Sequence, residues 1–257
     1  MRRRPVILSL LLLLATAPAP VRAQAPAPRK TVAVLYFDNY SGKATYDPLG
    51  KGIASMMISD LGAVPEIQLL ERDRIQDLLK ESELSHSRYF DSTTAVKLGR
   101  MSGAEYIVVG AFAAVQPQMR IDTRVVRVGT GEIVKTAQVV GQEDAFFDLE
   151  QRLAARLIDG LGVALSPEDQ EKLRQKQEAN RMDAASTVVS FSKALSLYDK
   201  GEYVDAGSAM GPVLRASPNS ELAQSLYGEI RRRAAAKATE SAKDKIKSGI
   251  GGWLKRP

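Results

Sequence analysis

Hydrophobic positions change period several times along the chain, and each change predicts an element. Val32 to Phe37 form an unbroken apolar run, Val-Ala-Val-Leu-Tyr-Phe, which stops abruptly at the polar stretch Asp38-Asn39-Tyr40-Ser41-Gly42. A run this short, β-branched and aromatic, without polar alternation, predicts a strand covered on both faces. Pro48 then opens a helical spacing of Leu49, Ile53, Met56, Met57 and Leu61, which Gly62 and Pro65 end. "EIQLLER" predicts a second short strand, and Ile75, Leu78, Leu79 and Leu84 mark one side of the helix after it. A further short helix, "TTAVKLGRMSG", leads into "AEYIVVGAFAAV", a third buried strand.

The style then changes. Met119, Ile121, Thr123 and Val125 alternate with Arg120, Asp122 and Arg124, as in a strand buried on one face only. "VGTGEIV" supplies a Gly-containing hairpin turn and "EIVKTAQVVG" the returning strand. Phe146, Leu149, Leu153, Leu157 and Leu161 fall on one stripe of a closing helix. The order β-α-β-α-α-β-β-β-α predicts an α/β fold, a mixed sheet with flanking helices.

Beyond residue 165 only helices are predicted. Ser166-Pro167-Glu168-Asp169 is a strong helix start, with a capping hydroxyl, a first-turn proline and acids at the positive dipole end. The helix that follows is polar almost all round, which predicts a spacer over 166–183. From 184 to 230, Ala194, Gly201, Tyr203, Ala206, Met210 and Pro218 stand at spacings similar to a tetratricopeptide repeat, and Gly228 lies one repeat length of about 34 residues after Ala194. The small residues let paired helices approach, and Tyr203, Ala206 and Met210 line the groove between them. One such all-α unit cannot bury its own face, so it must lean on the α/β domain or on another copy.

The amino terminus changes the picture of where the protein works. Three arginines, the apolar "PVILSLLLLLATA" and Val21-Arg22-Ala23 predict a secretory signal over residues 1–23, cleaved near Ala23. Residues 24–30 form an Ala/Pro spacer. The full chain carries 36 basic and 30 acidic residues; the signal segment holds four of the arginines and no acid. Another nine basic and three acidic residues fall between Glu229 and Pro257, so the middle of the chain is slightly acidic. The basic balance therefore does not point to nucleic acid. There is no cysteine, which removes disulfides, thiolate zinc sites and a lipidated amino-terminal cysteine.

Candidate chemistry is sparse. His86, the single histidine, lies in the polar "ELSHSRYFDST", so a histidine triad or a multi-histidine metal site is not expected. "GKATYDPLGKG" lacks phosphate-loop spacing, and Gly42, Gly50 and Gly52 read as turn and helix-entry residues. Acids such as Glu81 and Glu83 read as a solvated helix face. The best polar cluster is Asp38, Asn39 and Ser41, at the carboxyl end of a strand, where open α/β sheets bind ligands. The same residues also suit an Asx-type turn. No cofactor and no metal are expected.

Four segments in order, "VAVLYFDNYSG", "LLERDRIQDLLKESEL", "GAEYIVVGAF" and "TRVVRVGTGEIVKTAQVVG", resemble the CsgG/HfaB group, relatives of the curli secretion lipoprotein. They are also similar to the amino-terminal domain of TolB-like periplasmic proteins. The matching positions include Asp38, Asn39, Arg72, Glu81, Gly103, Ala104, Arg124, Thr130, Gly131 and Glu132, and the resemblance spans the α/β domain, 31–165. It implies a non-enzymatic protein of the periplasm of a Gram-negative bacterium, associated with the outer membrane and acting in assembly, secretion or scaffolding. The partners it implies are envelope proteins and further copies of the chain. The pore-forming members are lipoproteins with membrane-spanning hairpins, and neither feature is visible here, so no pore is expected. Asp38, Asn39 and Ser41 are expected to shape a rim used in protein contact; the alternative is a small-ligand or nucleotide sensor using the same three residues. The basic tail, 231–257, places Ile246, Ile250, Trp253 and Leu254 on one helical face beside Lys243 and Lys247, a pattern suited to weak peripheral contact with an anionic membrane. Gly249, Gly251 and Gly252 favour a disordered tail instead.

Overall fold

The computed structural model describes residues 29–81 and 91–253. The signal segment, His86 with Glu83 and Leu84, and Leu254 to Pro257 lie outside the described residues.

Strand β1 (Lys30–Asn39) is the apolar run, with Val32 to Phe37 all buried. It is followed by α1 (Leu49–Leu61), β2 (Ile67–Leu69), α2 (Arg72–Glu81) and α3 (Ser92–Ser102), then β3 (Tyr106–Val115), β4 (Gln118–Arg127) and β5 (Ile133–Gln142). The closing helix is α4 (Phe146–Gly160). The mixed sheet has the order β2-β1-β3-β4-β5; β1 is parallel to both neighbours and the β3-β4-β5 meander is antiparallel. The chain steps from β1 outward to β2 and then back across β1 to β3. Right-handed crossovers in opposite directions put α1 on one face of the sheet and α2 with α3 on the other.

Burial follows from that arrangement. β1 and β3 are covered on both sides, whereas β4 buries Met119, Ile121, Thr123 and Val125 on the α1/α4 face and leaves Arg120, Asp122 and Arg124 less covered on the other. The α4 stripe Phe146, Leu149, Leu153, Leu157 and Leu161 is fully buried against that first face.

The second part of the chain differs from the spacer reading. Helix α5 (Pro167–Ala179) begins at its Ser166 cap, whose hydroxyl accepts from the Asp169 N–H. It is packed rather than free: Leu173 and Gln177 are buried, and Gln177 bonds across to Asp60 of α1. A mostly polar helix needs only one such edge to dock, and a periodicity count dominated by its solvent side misses it. Helices α6 (Ala185–Asp199) and α7 (Tyr203–Ala216) pack on each other and α6 also on α1, so Val188, Phe191, Met210 and Val213 belong to one hydrophobic core with β1 and α4. Helix α8 (Glu221–Trp253) is continuous, with no break at residue 231, and its backbone stays helical through the glycines to Trp253.

Gly50 and Gly52 do more than admit a helix. A Cβ on Gly50 would lie 1.9 Å from the Phe37 carbonyl oxygen, and one on Gly52 would lie 2.0 Å from Ser192 Oγ. The two glycines let α1 touch β1 on one side and α6 on the other.

Candidate functional site

The loop after β1 lies where the two crossovers diverge, beside the carboxyl end of β3. Its polar side chains are committed locally. Asn39 Nδ2 donates to the Lys43 carbonyl at 2.9 Å and to Asp47 Oδ1 at 2.7 Å, while Asn39 Oδ1 accepts from the Ser41 N–H at 2.8 Å. Ser41 Oγ accepts from the Ala114 N–H at 2.9 Å, and the Tyr40 N–H donates to the Phe112 carbonyl at 2.8 Å. The loop is thus an Asx turn stitched onto β3, at the strand end where open α/β sheets bind ligands.

Next to it, among the described residues, no helix lies over the outer part of the sheet face formed by β4 and β5. Strand register aligns Asp38, Ala111, Asp122 and Gln138 in one row and Ala113, Arg120 and Val140 in the next, with Tyr40 at the end of the second. A depression of about 530 Å³ is lined there by Tyr40, Arg120, Asp122, Arg124, Gln138 and Arg156, among others. Arg120 makes two 2.7 Å bonds from Nε and Nη2 to the Asp122 carboxylate. Tyr40 is 48 % exposed and Val140 41 %, so apolar surface borders the charged rows. Nothing in this arrangement sets an acid, a base and a nucleophile against one another. It offers an open, mixed surface suited to protein contact.

Arg72 has a different role. Its Nη1 pairs with Asp199 Oδ1 at 2.7 Å at the carboxyl end of α6, and Asp199 Oδ2 receives Lys51 Nζ from α1 at 2.8 Å. Gln76 Oε1 accepts from the Tyr36 hydroxyl and from Lys51. Burial opposes the Arg72 charge, but the Asp199 carboxylate outweighs it and the guanidinium pKa rises. The cluster joins β1, α1 and α2 to α6.

A second buried cluster escaped the sequence reading. Asp60 of α1 and Glu150 of α4 are buried together. Gln177 Nε2 donates to Asp60 Oδ2 at 2.9 Å, and Asn180 bonds to Ser59 Oγ and to the Leu222 N–H. Burial pushes Asp60 up to about 7, against the hydrogen bond from Gln177; burial and then the Asp60 charge raise Glu150 well above the usual carboxyl range. A signal was present: Asp60 lies four residues after Met56 and Glu150 four after Phe146, both on apolar stripes.

The other matched positions shape the backbone. Gly103 ends α3 with φ of 74°, and the Ala104 N–H closes back on the Gly99 carbonyl. Gly131 turns the β4–β5 hairpin with φ of 75°, Thr130 Oγ1 accepts from the Glu132 N–H, and Arg127 pairs with Glu132. Glu81 is the last residue of α2. Ala206 and Met210 are buried between the helices of the C-terminal part, whereas Tyr203 is half-buried, tilted against Tyr198 with Lys237 Nζ 5.6 Å from its ring centre. Among the described residues, no three His, Cys, Asp or Glu side chains are grouped to hold a metal ion, and no helix is long and apolar enough to cross a membrane.

Residues 15–120 match the family model described as Curli production assembly/transport component CsgG. The match takes in the first three of the four segments that carry the resemblance and stops before the β4–β5 hairpin. Among solved structures, the LpoB C-terminal domain from Salmonella enterica is 16% identical with a TM-score of 0.38, over 46% of this chain and 88% of that one. Lipoprotein GNA1162 from Neisseria meningitidis is 11% identical with a TM-score of 0.38, over 52% and 98%. A PelC dodecamer from Paraburkholderia phytofirmans is 15% identical with a TM-score of 0.34, over 54% and 90%. No curated protein matches the chain in sequence.

Proposed function

We propose that this chain, CsgG-like over residues 15–120, is a non-enzymatic component of the Gram-negative envelope that acts in assembly, secretion or scaffolding without forming a pore itself. The family description names an assembly and transport component, which supports the envelope setting. The observation that carries the reading is the part of the β4 and β5 face that no described helix covers, where Tyr40, Val140 and the Arg120–Asp122 pair form a surface part apolar and part charged. Such a surface fits a protein partner, either another envelope protein or a further copy. Of the sensor candidates Asp38, Asn39 and Ser41, the last two already bond to the chain's own loop and strand. The apolar side of β4 packs under α4, so turning it toward lipid would strip that helix of its core.

A photo-crosslinking residue at Gln138 in the native envelope should capture a discrete partner, and one at Thr239 of α8 should not. Arg120→Glu should abolish the Gln138 adduct without moving the melting temperature. Equal capture from both positions, or single-channel steps from detergent-free protein in planar bilayers, would count against the reading.

A further inference from the structure

Helices α1, α4 and α5 meet at two carboxyls. Asp60 is 0 % exposed and Glu150 1 %. Gln177 satisfies Asp60 Oδ2, but Asp60 Oδ1 and both Glu150 oxygens find no donor among the described residues. Three buried oxygens facing one another without a donor are stable only if a proton sits between them, because two bare carboxylates in an apolar seam repel and lack solvent. The surroundings offer little relief. From α5, Lys176 is the charged group that acts on Asp60, and it also reaches out to Glu221 of α8 at 3.2 Å. The buried side of α6 presents Ala185, Val188, Phe191 and Ser192, none of them titratable in this range, and Ser192 Oγ bonds to its own Val188 carbonyl. The neighbouring buried positions on the same helices are apolar, Met56, Met57 and Leu61 on α1 and Leu149, Leu153 and Ala154 on α4. The seam is also the attachment of the C-terminal helices: one turn beyond Gln177, Asn180 ties Ser59 of α1 to the first turn of α8.

We propose that the Asp60–Glu150 pair is a proton-linked latch, in which a shared proton holds α5 and the helices behind it on α1 and α4, and loss of that proton to water loosens the seam. The sign follows from linkage. The pair holds a proton in the fold that an unfolded chain releases near pH 4, so the stabilisation is complete below that pH and declines as the pH rises toward 7 and beyond.

The test is thermal melting of the full mature chain from pH 4.5 to 9, beside Glu150→Gln, with hydrogen exchange corrected for its intrinsic pH dependence. Glutamine donates an N–H to Asp60 and removes the need for a shared proton. Between pH 5.5 and 8.5 the wild-type melting temperature should fall about 5 °C further than that of E150Q. Exchange over residues 167–179 should rise at least tenfold in the wild type while β1 and β3 stay protected. Parallel melting profiles, or a loss of protection spread evenly over the sheet, would overturn the latch. Should E150Q fail to fold, Asp60→Asn provides the same comparison. If that fails too, the exchange pattern of the wild type decides alone: localised opening supports the latch and uniform opening rejects it.

Discussion

The seam between the α/β domain and the C-terminal helices holds two polar clusters of opposite design. At one end Asp199 sits between Lys51 and Arg72, whose guanidinium also pairs with the exposed Asp73, with Gln76 and the Tyr36 hydroxyl completing the network. At the other end Asp60 and Glu150 face each other with an amide and no cation in hydrogen-bond contact. The first is a set of charges that must stay paired; the second is a pair that must stay partly neutral. An ion-paired cluster is insensitive to pH across the neutral range, because arginine and lysine titrate far above it. A carboxyl pair is sensitive there, because its alternative state is two buried charges.

Mutations should separate the two ends. The largest effect is expected for Asp199→Ala, which leaves the Arg72 guanidinium buried without its main partner and should cost about 3 kcal/mol in urea denaturation, unchanged between pH 6 and 8. Glu150→Gln should do the reverse at pH 8.5, gaining about 2 kcal/mol over the wild type, with the gain shrinking as the pH falls to 5. Ser41→Ala lies off the seam; it removes the acceptor for the Ala114 N–H and should cost about 1 kcal/mol at every pH. Arg127→Ala, at the exposed hairpin pair, should leave the denaturation midpoint where it is, which makes it the control for charge removal as such.

The order of elements was legible because each strand and helix of the α/β domain carries its own local period. The unbroken run of β1, the alternation of β4 and the four-residue stripe of α4 each state how many faces are covered, and the structure has them so. The polar loop at Asp38, Asn39 and Ser41 was legible as a cluster, and the Asx turn was the bland reading of it. That turn is where the side chains of Asn39 and Ser41 are spent. The docking of α5 was not legible, since two buried residues in a thirteen-residue polar helix leave almost no periodic signal.

Hydrophobic periodicity, turn glycines and capping residues act over a few positions, so the sequence by itself determined the elements of the α/β domain, their faces and the mixed character of the sheet. Partners far apart in the chain were decided only by tertiary structure. Arg72 and Asp199 are 127 residues apart, Lys51 and Asp199 are 148 apart, and Asp60 reaches Gln177 across 117. No local pattern encodes such pairings. They arise because α1, pressed onto β1 through Gly50 and onto α6 through Gly52, brings distant helices to one seam, where burial turns ordinary surface residues into a salt cluster at one end and a proton-sharing pair at the other.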